Sequence, residues 1–183
     1  ITLVHRPGLV QSNIVVGNLT YRPADPRHFA AAVANRVLGD GADSRLFRIL
    51  REEKSWTYGA YSSLERRRAT GSFEATAEVR PEVTDSALAE ILTQLDRLGA
   101  EPIPADELEA ARSAMVGSYP LTVQTAGQVA DAVSSVRLYG LPADYLTTYR
   151  LRIGKVTAEE AGAAARALIR GSAAAIVVVA DGA

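Results

Sequence analysis

Between Gly71 and Arg80 apolar and polar residues alternate, with Phe73, Ala75, Ala77 and Val79 set against Glu74, Thr76 and Glu78. A period of two sends successive side chains to opposite faces of a strand, so this segment belongs in a sheet with one dry face and one wet face. Tyr58 to Leu64 precedes it, and the two segments read as a hairpin. Arg66, Arg67 and Arg68 fall at its tip, where a basic triplet is ordinarily solvated.

The flanking segments indicate what covers the dry face. Ile1 to Val4 and Val10 to Gly17 read as further strands, the second with Val10, Ser12, Ile14 and Val16 on one face, and Arg6-Pro7-Gly8 breaks the chain between them. Asp25-Pro26 opens a helix carrying Phe29, Val33 and Val37 at intervals of four, and Gly39-Asp40-Gly41 stops it. Asp43 or Ser44 caps a shorter helix bearing Leu46, Phe47, Ile49 and Leu50, predicted to end near Glu53 or Lys54.

From Thr84 the pattern turns helical. Leu88, Ile91, Leu92, Leu95 and Leu98 make one apolar stripe, and Pro102 with Pro104 separates it from a helix marked by Leu108, Ala111 and Met115. Val129, Val133 and Val136 mark another, followed by helices over Pro142 to Ile153 and Thr157 to Arg170. Thr157 with Glu160 forms a capping-box pattern at the start of the last one. Ile176 to Ala180 closes the chain as an apolar strand. Strands and helices do not alternate strictly, which argues against a doubly wound parallel sheet. The expected fold is α+β: a two-layer sandwich with a mixed or antiparallel sheet and helices packed on one face. A length of 183 residues suits one domain over residues 1–183.

Composition removes several functions. Twenty Lys and Arg against twenty-one Asp and Glu leave a formal charge of −1, which provides no general field for nucleic acid or an anionic membrane. The absence of cysteine excludes thiol catalysis, disulfides and a thiolate zinc site. No apolar run approaches the roughly 20 residues of a membrane helix. The chain starts at Ile1 without a signal-like segment and reads as a piece excised from a longer protein, so its compartment is unknown.

Little classical catalytic chemistry is left. His5 and His28 have no HxxH, HxxxH or HxxEH partner, so no metal is expected to be bound by this chain, and His28 reads as a solvated or locally bonded imidazole. No serine sits in a GxSxG elbow. Gly39-Asp40-Gly41 lacks the P-loop lysine, and Asp40 and Asp43 would repel phosphate. Glu52-Glu53 and Glu159-Glu160 are adjacent pairs that diverge on a helix. Arg51 and Tyr58, seven positions apart, admit two accounts. One is local: a cation complements a helix C-terminus by about 0.3–1 kcal/mol, and an aromatic residue suits a strand. The other is that both converge on one cleft and donate to peptide carbonyls or to a developing oxyanion.

The blocks ADSRLFRILREEKSWTYGAYSS, VQSNIVVGNL and LYGLPADYLTTYRLRIGKVTAEE resemble the peptidase M16 family, which includes pitrilysin, insulin-degrading enzyme and mitochondrial processing peptidase, in its non-catalytic C-terminal type of domain. The resemblance covers nearly the whole chain. It implies a half that faces a catalytic, HxxEH-bearing domain or subunit across a chamber, with zinc held by that partner and peptide or unfolded protein as substrate. It also implies that Arg51 and Tyr58 match the family's arginine and tyrosine, which bind substrate backbone and support the tetrahedral intermediate. The alternative within the family is an inactive structural scaffold resembling the core subunits of respiratory complexes. A third expectation, outside the family, is a small-anion module using Arg51 or the Arg66 to Arg68 loop.

Overall fold

The computed structural model describes residues 1–181. Five strands, β1 (Thr2–His5), β2 (Ser12–Leu19), β3 (Thr57–Glu65), β4 (Ser72–Val79) and β5 (Ala175–Ala180), form one sheet in the order β1-β5-β2-β4-β3. The sheet is mixed: β1 and β5 run parallel and the other three neighbouring pairs are antiparallel. Its helices are α1 (His28–Leu38), α2 (Arg45–Phe47), α3 (Thr84–Ala100), α4 (Ala105–Ser118), α5 (Ala126–Leu138), α6 (Tyr145–Lys155) and α7 (Ala158–Leu168), and a π-helical turn over Arg48–Glu53 continues α2. Among the described residues no helix is long and apolar enough to cross a membrane.

Cross-strand register explains the layering. Ile14 pairs with Ala77 and Val178, and Val16 with Ala75 and Ile176, so one row of buried apolar side chains runs over three strands. Val33, Ala34 and Leu38 of α1, Ile91, Leu95 and Leu98 of α3, and Ala161 and Ala165 of α7 close on that row and complete the core. The alanines of α7 lack bulk, so that helix packs closely against α1 and α3; a Cβ at Gly99 of α3 would come within 3.1 Å of Arg166 Cα. The other face carries Asn13, Val15, Glu74, Thr76, Glu78 and Tyr61, half-buried to exposed. The expected two-layer α+β architecture, with helices on one face, is what the chain adopts.

Local differences from the sequence reading have physical causes. Ser12, Ile14 and Val16 face inward as expected, but Val10 precedes β2 and is 83% exposed. Asp25 does not cap α1 directly: its Oδ1 accepts the Arg27 N–H at 2.8 Å in a turn, and the helix begins at His28. The capping box of α7 has both halves, with the Glu160 N–H donating to Thr157 Oγ1 at 3.1 Å and the Thr157 N–H to Glu160 Oε2 at 2.9 Å. In α5, Val129 and Val133 are exposed and no residue is buried. That helix holds its shape through its own capping box, Thr125 with Gln128, and stands off the core.

Candidate functional site

Arg51 reaches the surface through an unusual helix. Leu46 and Leu50 are fully buried, which pins one side of the segment to the core. Arg45, also buried, donates from Nε and Nη2 to Glu107 Oε2 of α4 at 2.8 and 2.7 Å. Beyond Phe47 the backbone widens: the Lys54 N–H bonds the Ile49 carbonyl at 3.0 Å and the Trp56 N–H bonds the Leu50 carbonyl at 2.9 Å. Single π turns of this kind insert an extra residue into a helix and concentrate at functional sites. Ser55, at φ 52°, then reverses the chain in the left-handed region and delivers it to β3. Arg51 is exposed, with its Cζ 4.8 Å from the centre of the Phe47 ring. That is within range of a cation–π contact.

Tyr58 owes its position to a β-bulge. Thr57 pairs with Val79 and Ala60 with Ala77, so β3 uses one more residue than β4 over this stretch. Thr57 Oγ1 holds the distortion by donating to the Glu78 carbonyl at 2.5 Å and accepting the Gly59 N–H at 3.0 Å. Strict alternation would send Tyr58 to the core side with Ala60. The bulge turns it out instead, leaving Tyr58 85% exposed while Ala60 is fully buried.

Phe47 and Tyr61, which the sequence reading did not single out as site residues, join these two positions. The Tyr61 ring lies 5.8 Å from that of Phe47. It also lies against Gly59, where a Cβ would come within 2.6 Å of Tyr61 Cε2. Glycine is therefore what lets the ring rest on the strand backbone beside Tyr58. Arg51, Phe47, Tyr61 and Gly59 form a continuous line of contacts from the π turn to the bulge. Next to it, on the uncovered sheet face, opens a groove of about 540 Å³ lined by Gln11, Asn13, Tyr58, Tyr61, Thr76 and Glu78, among others. Arg51 is not part of its lining. The YGAY spacing hints at aromatic clustering, but only the bulge brings both tyrosines to one groove. Chemically, the site offers an exposed guanidinium and an exposed phenol beside an open sheet face.

His28 and Arg66 meet elsewhere in a partly buried polar cluster. Tyr21 Oη lies 2.7 Å from His28 Nδ1, Tyr145 Oη lies 3.3 Å from Nε2, and Arg66 Nη2 donates to Tyr145 Oη at 2.8 Å. Arg66 is thus a strut between the hairpin tip and α6, unlike the solvated triplet expected, whereas His28 is locally bonded. Burial, followed by the Arg66 charge, pushes the His28 pKa from 6.5 down to about 3, against a weaker opposing pull from Asp25. Between those values the unfolded chain binds a proton that the folded chain does not. Stability from this group is complete above about pH 6.5 and is lost as the pH falls toward 3. Urea midpoints measured at about pH 7 and pH 4.5 should therefore fall with acid more in the parent protein than in His28→Gln; equal slopes would contradict the buried neutral imidazole.

Among the described residues no group of three or more His, Cys, Asp or Glu is placed to hold a metal ion. Residues 2–115 match the peptidase M16 inactive domain. The chain is 27% identical over 156 residues to an uncharacterized zinc protease of Streptomyces coelicolor, covering 85% of this chain and 34% of that protein. It is similar in structure to the peptidase M16 inactive domain from Pseudomonas fluorescens, with a TM-score of 0.92 at 22% identity over 100% of this chain and 43% of that one. A chain of complex III from Candida albicans shares the fold with a TM-score of 0.81 at 16% identity, over 98% of this chain and 45% of that one.

Proposed function

The chain belongs to the peptidase M16 family, as an inactive-domain member, and from that premise we propose that it is the non-catalytic, substrate-binding half of a zinc-dependent endopeptidase. The uncovered sheet face would line a chamber opposite an HxxEH-bearing domain or subunit. One observation carries this reading: the bulge in β3 directs Tyr58 onto that open face, while Arg51 lies on the surface against Phe47, whose ring meets Tyr61 of the same strand. Both are polar groups presented to solvent where an extended peptide could lie.

The roles follow from chemistry. Arg51 would donate to a substrate carbonyl, fixing the peptide backbone near the bond to be cleaved. Tyr58 would donate its hydroxyl to the scissile carbonyl oxygen as that oxygen gains negative charge. In this reading the chain is not asked to hold zinc. The HxxEH half would hold it, and there zinc would supply carbonyl polarisation and a more acidic water.

Reconstitution tests the proposal. The isolated chain is expected to leave an unstructured peptide intact, and supplying the HxxEH half, in the same polypeptide or as a partner subunit, is expected to produce zinc-dependent cleavage. Hydrolysis by the isolated chain, with contaminating metallopeptidase excluded, would overturn it. The fold shared with the complex III chain supports a second reading, an inactive scaffold. That reading gains if the combined halves assemble without cleaving.

A further inference from the structure

We propose that the groove beside Tyr58 is a subsite for a cationic side chain, lysine or arginine, of the bound peptide. The inference rests on the reading of this face as a substrate-binding wall and adds a specificity to it.

The groove has an acidic side and an aromatic side. Glu78 lies on the open face, in register with Asn13 of β2, and is exposed. Its backbone carbonyl is used by Thr57, while its carboxylate has no ion pair or hydrogen bond among the described residues. No lysine or arginine lines the groove, and Arg51 stacks on Phe47 outside it. The tyrosines supply aromatic rings, whose faces attract cations.

Three kinds of side chain can be compared at this position. An acidic one meets the Glu78 charge with nothing to neutralise it. An apolar one can pack on the tyrosines but strips water from a carboxylate without replacing its hydrogen bonds. A cationic one pairs with Glu78 while its methylene stem lies along the rings, and the polar amides of Gln11 and Asn13 are at hand for its remaining donors. A volume of about 540 Å³ leaves room for the longest of these, arginine.

The test uses the full protein with its HxxEH half and peptides identical except at one scanned position, bearing arginine or its neutral isostere citrulline. At one position the arginine peptide should be preferred by about tenfold in kcat/KM at low ionic strength, and added salt should shrink the ratio. Labelled peptides followed by fluorescence anisotropy should give a parallel ratio in Kd without turnover. Glu78→Gln should bring both ratios close to one, and Glu78→Lys should make a glutamate peptide better than its glutamine counterpart. A ratio near one at every position of the parent protein would overturn the subsite, as would a preference that survives Glu78→Gln. If Arg51→Ala and Tyr58→Phe slow cleavage of the citrulline peptide while the charge ratio is one, only the subsite is wrong. If neither slows it, the substrate-wall reading falls and the subsite with it.

Discussion

Tyr58→Phe, introduced into the protein with its HxxEH half present, is expected to lower turnover of an unstructured peptide by about 100-fold without lowering the melting temperature. The change deletes one hydroxyl from a side chain that is 85% exposed and makes no hydrogen bond among the described residues, so folding has nothing to lose by it. If the hydroxyl meets charge that develops only as the bond breaks, the loss appears in kcat and kcat/KM equally. Arg51→Ala should lower kcat/KM by a similar factor of about 100, with a larger share in KM because a backbone carbonyl is bound before the reaction as well as during it. Arg51 is itself exposed, and its contact with the buried Phe47 ring contributes only about 0.5–1 kcal/mol to stability, so the fold should remain. Arg51→Lys should recover only part of the rate, since an ammonium cannot reproduce the planar fork of the guanidinium. Unchanged rates in both Tyr58→Phe and Arg51→Ala would remove the site assignment.

Glu107→Ala is expected to destabilise the domain by about 3 kcal/mol, seen as a lower urea midpoint with an unchanged slope. The side chain of Arg45 is only 8% exposed, so removing its carboxylate partner strands a guanidinium in the interior. Breaking such a pair from one side costs more than replacing both members with apolar groups of similar volume. The double variant Arg45→Met with Glu107→Leu should therefore be more stable than Glu107→Ala alone, and a double variant less stable than the single would contradict the assigned cause. Because Arg45 begins the helical segment that presents Arg51, the single variant should also lose activity in proportion to its displacement of that segment.

Features legible in the sequence are those written into neighbouring residues. Phe73, Ala75, Ala77 and Val79 announce the face of β4, and Thr157 with Glu160 announces the start of α7, because alternation and capping act over two or three positions. The SRLF and TYGA blocks resemble the M16 family, which the match over residues 2–115 establishes. The insertion of β5 between β1 and β2 was not legible, since no local signal tells a closing strand which neighbours it will join. Val129 and Val133 have the spacing of a buried helix face, but nothing within α5 says whether another surface covers it. At the candidate site, sequence spacing placed Arg51 at a helix end and Tyr58 at a strand start. It could not show that a bulge reverses the direction of Tyr58, or that Phe47 and Tyr61 join the two residues. Glu78 looked like any wet-face residue of an alternating strand until β2 and β3 were set on either side of β4.

The widened turn at Arg48–Glu53 also bears on how related sequences can diverge. Each residue of an ordinary helix advances about 100° around the axis. A one-residue deletion ahead of Arg51 would rotate its guanidinium off the Phe47 ring toward another quarter of the surface. A deletion after Arg51 would instead shift β3 by one position and exchange its inner and outer side chains. A substitution at an exposed position such as Glu52 disturbs neither phase nor register. Over long divergence, the stretch from Arg48 to Ala60 should vary at its exposed positions while its length stays fixed.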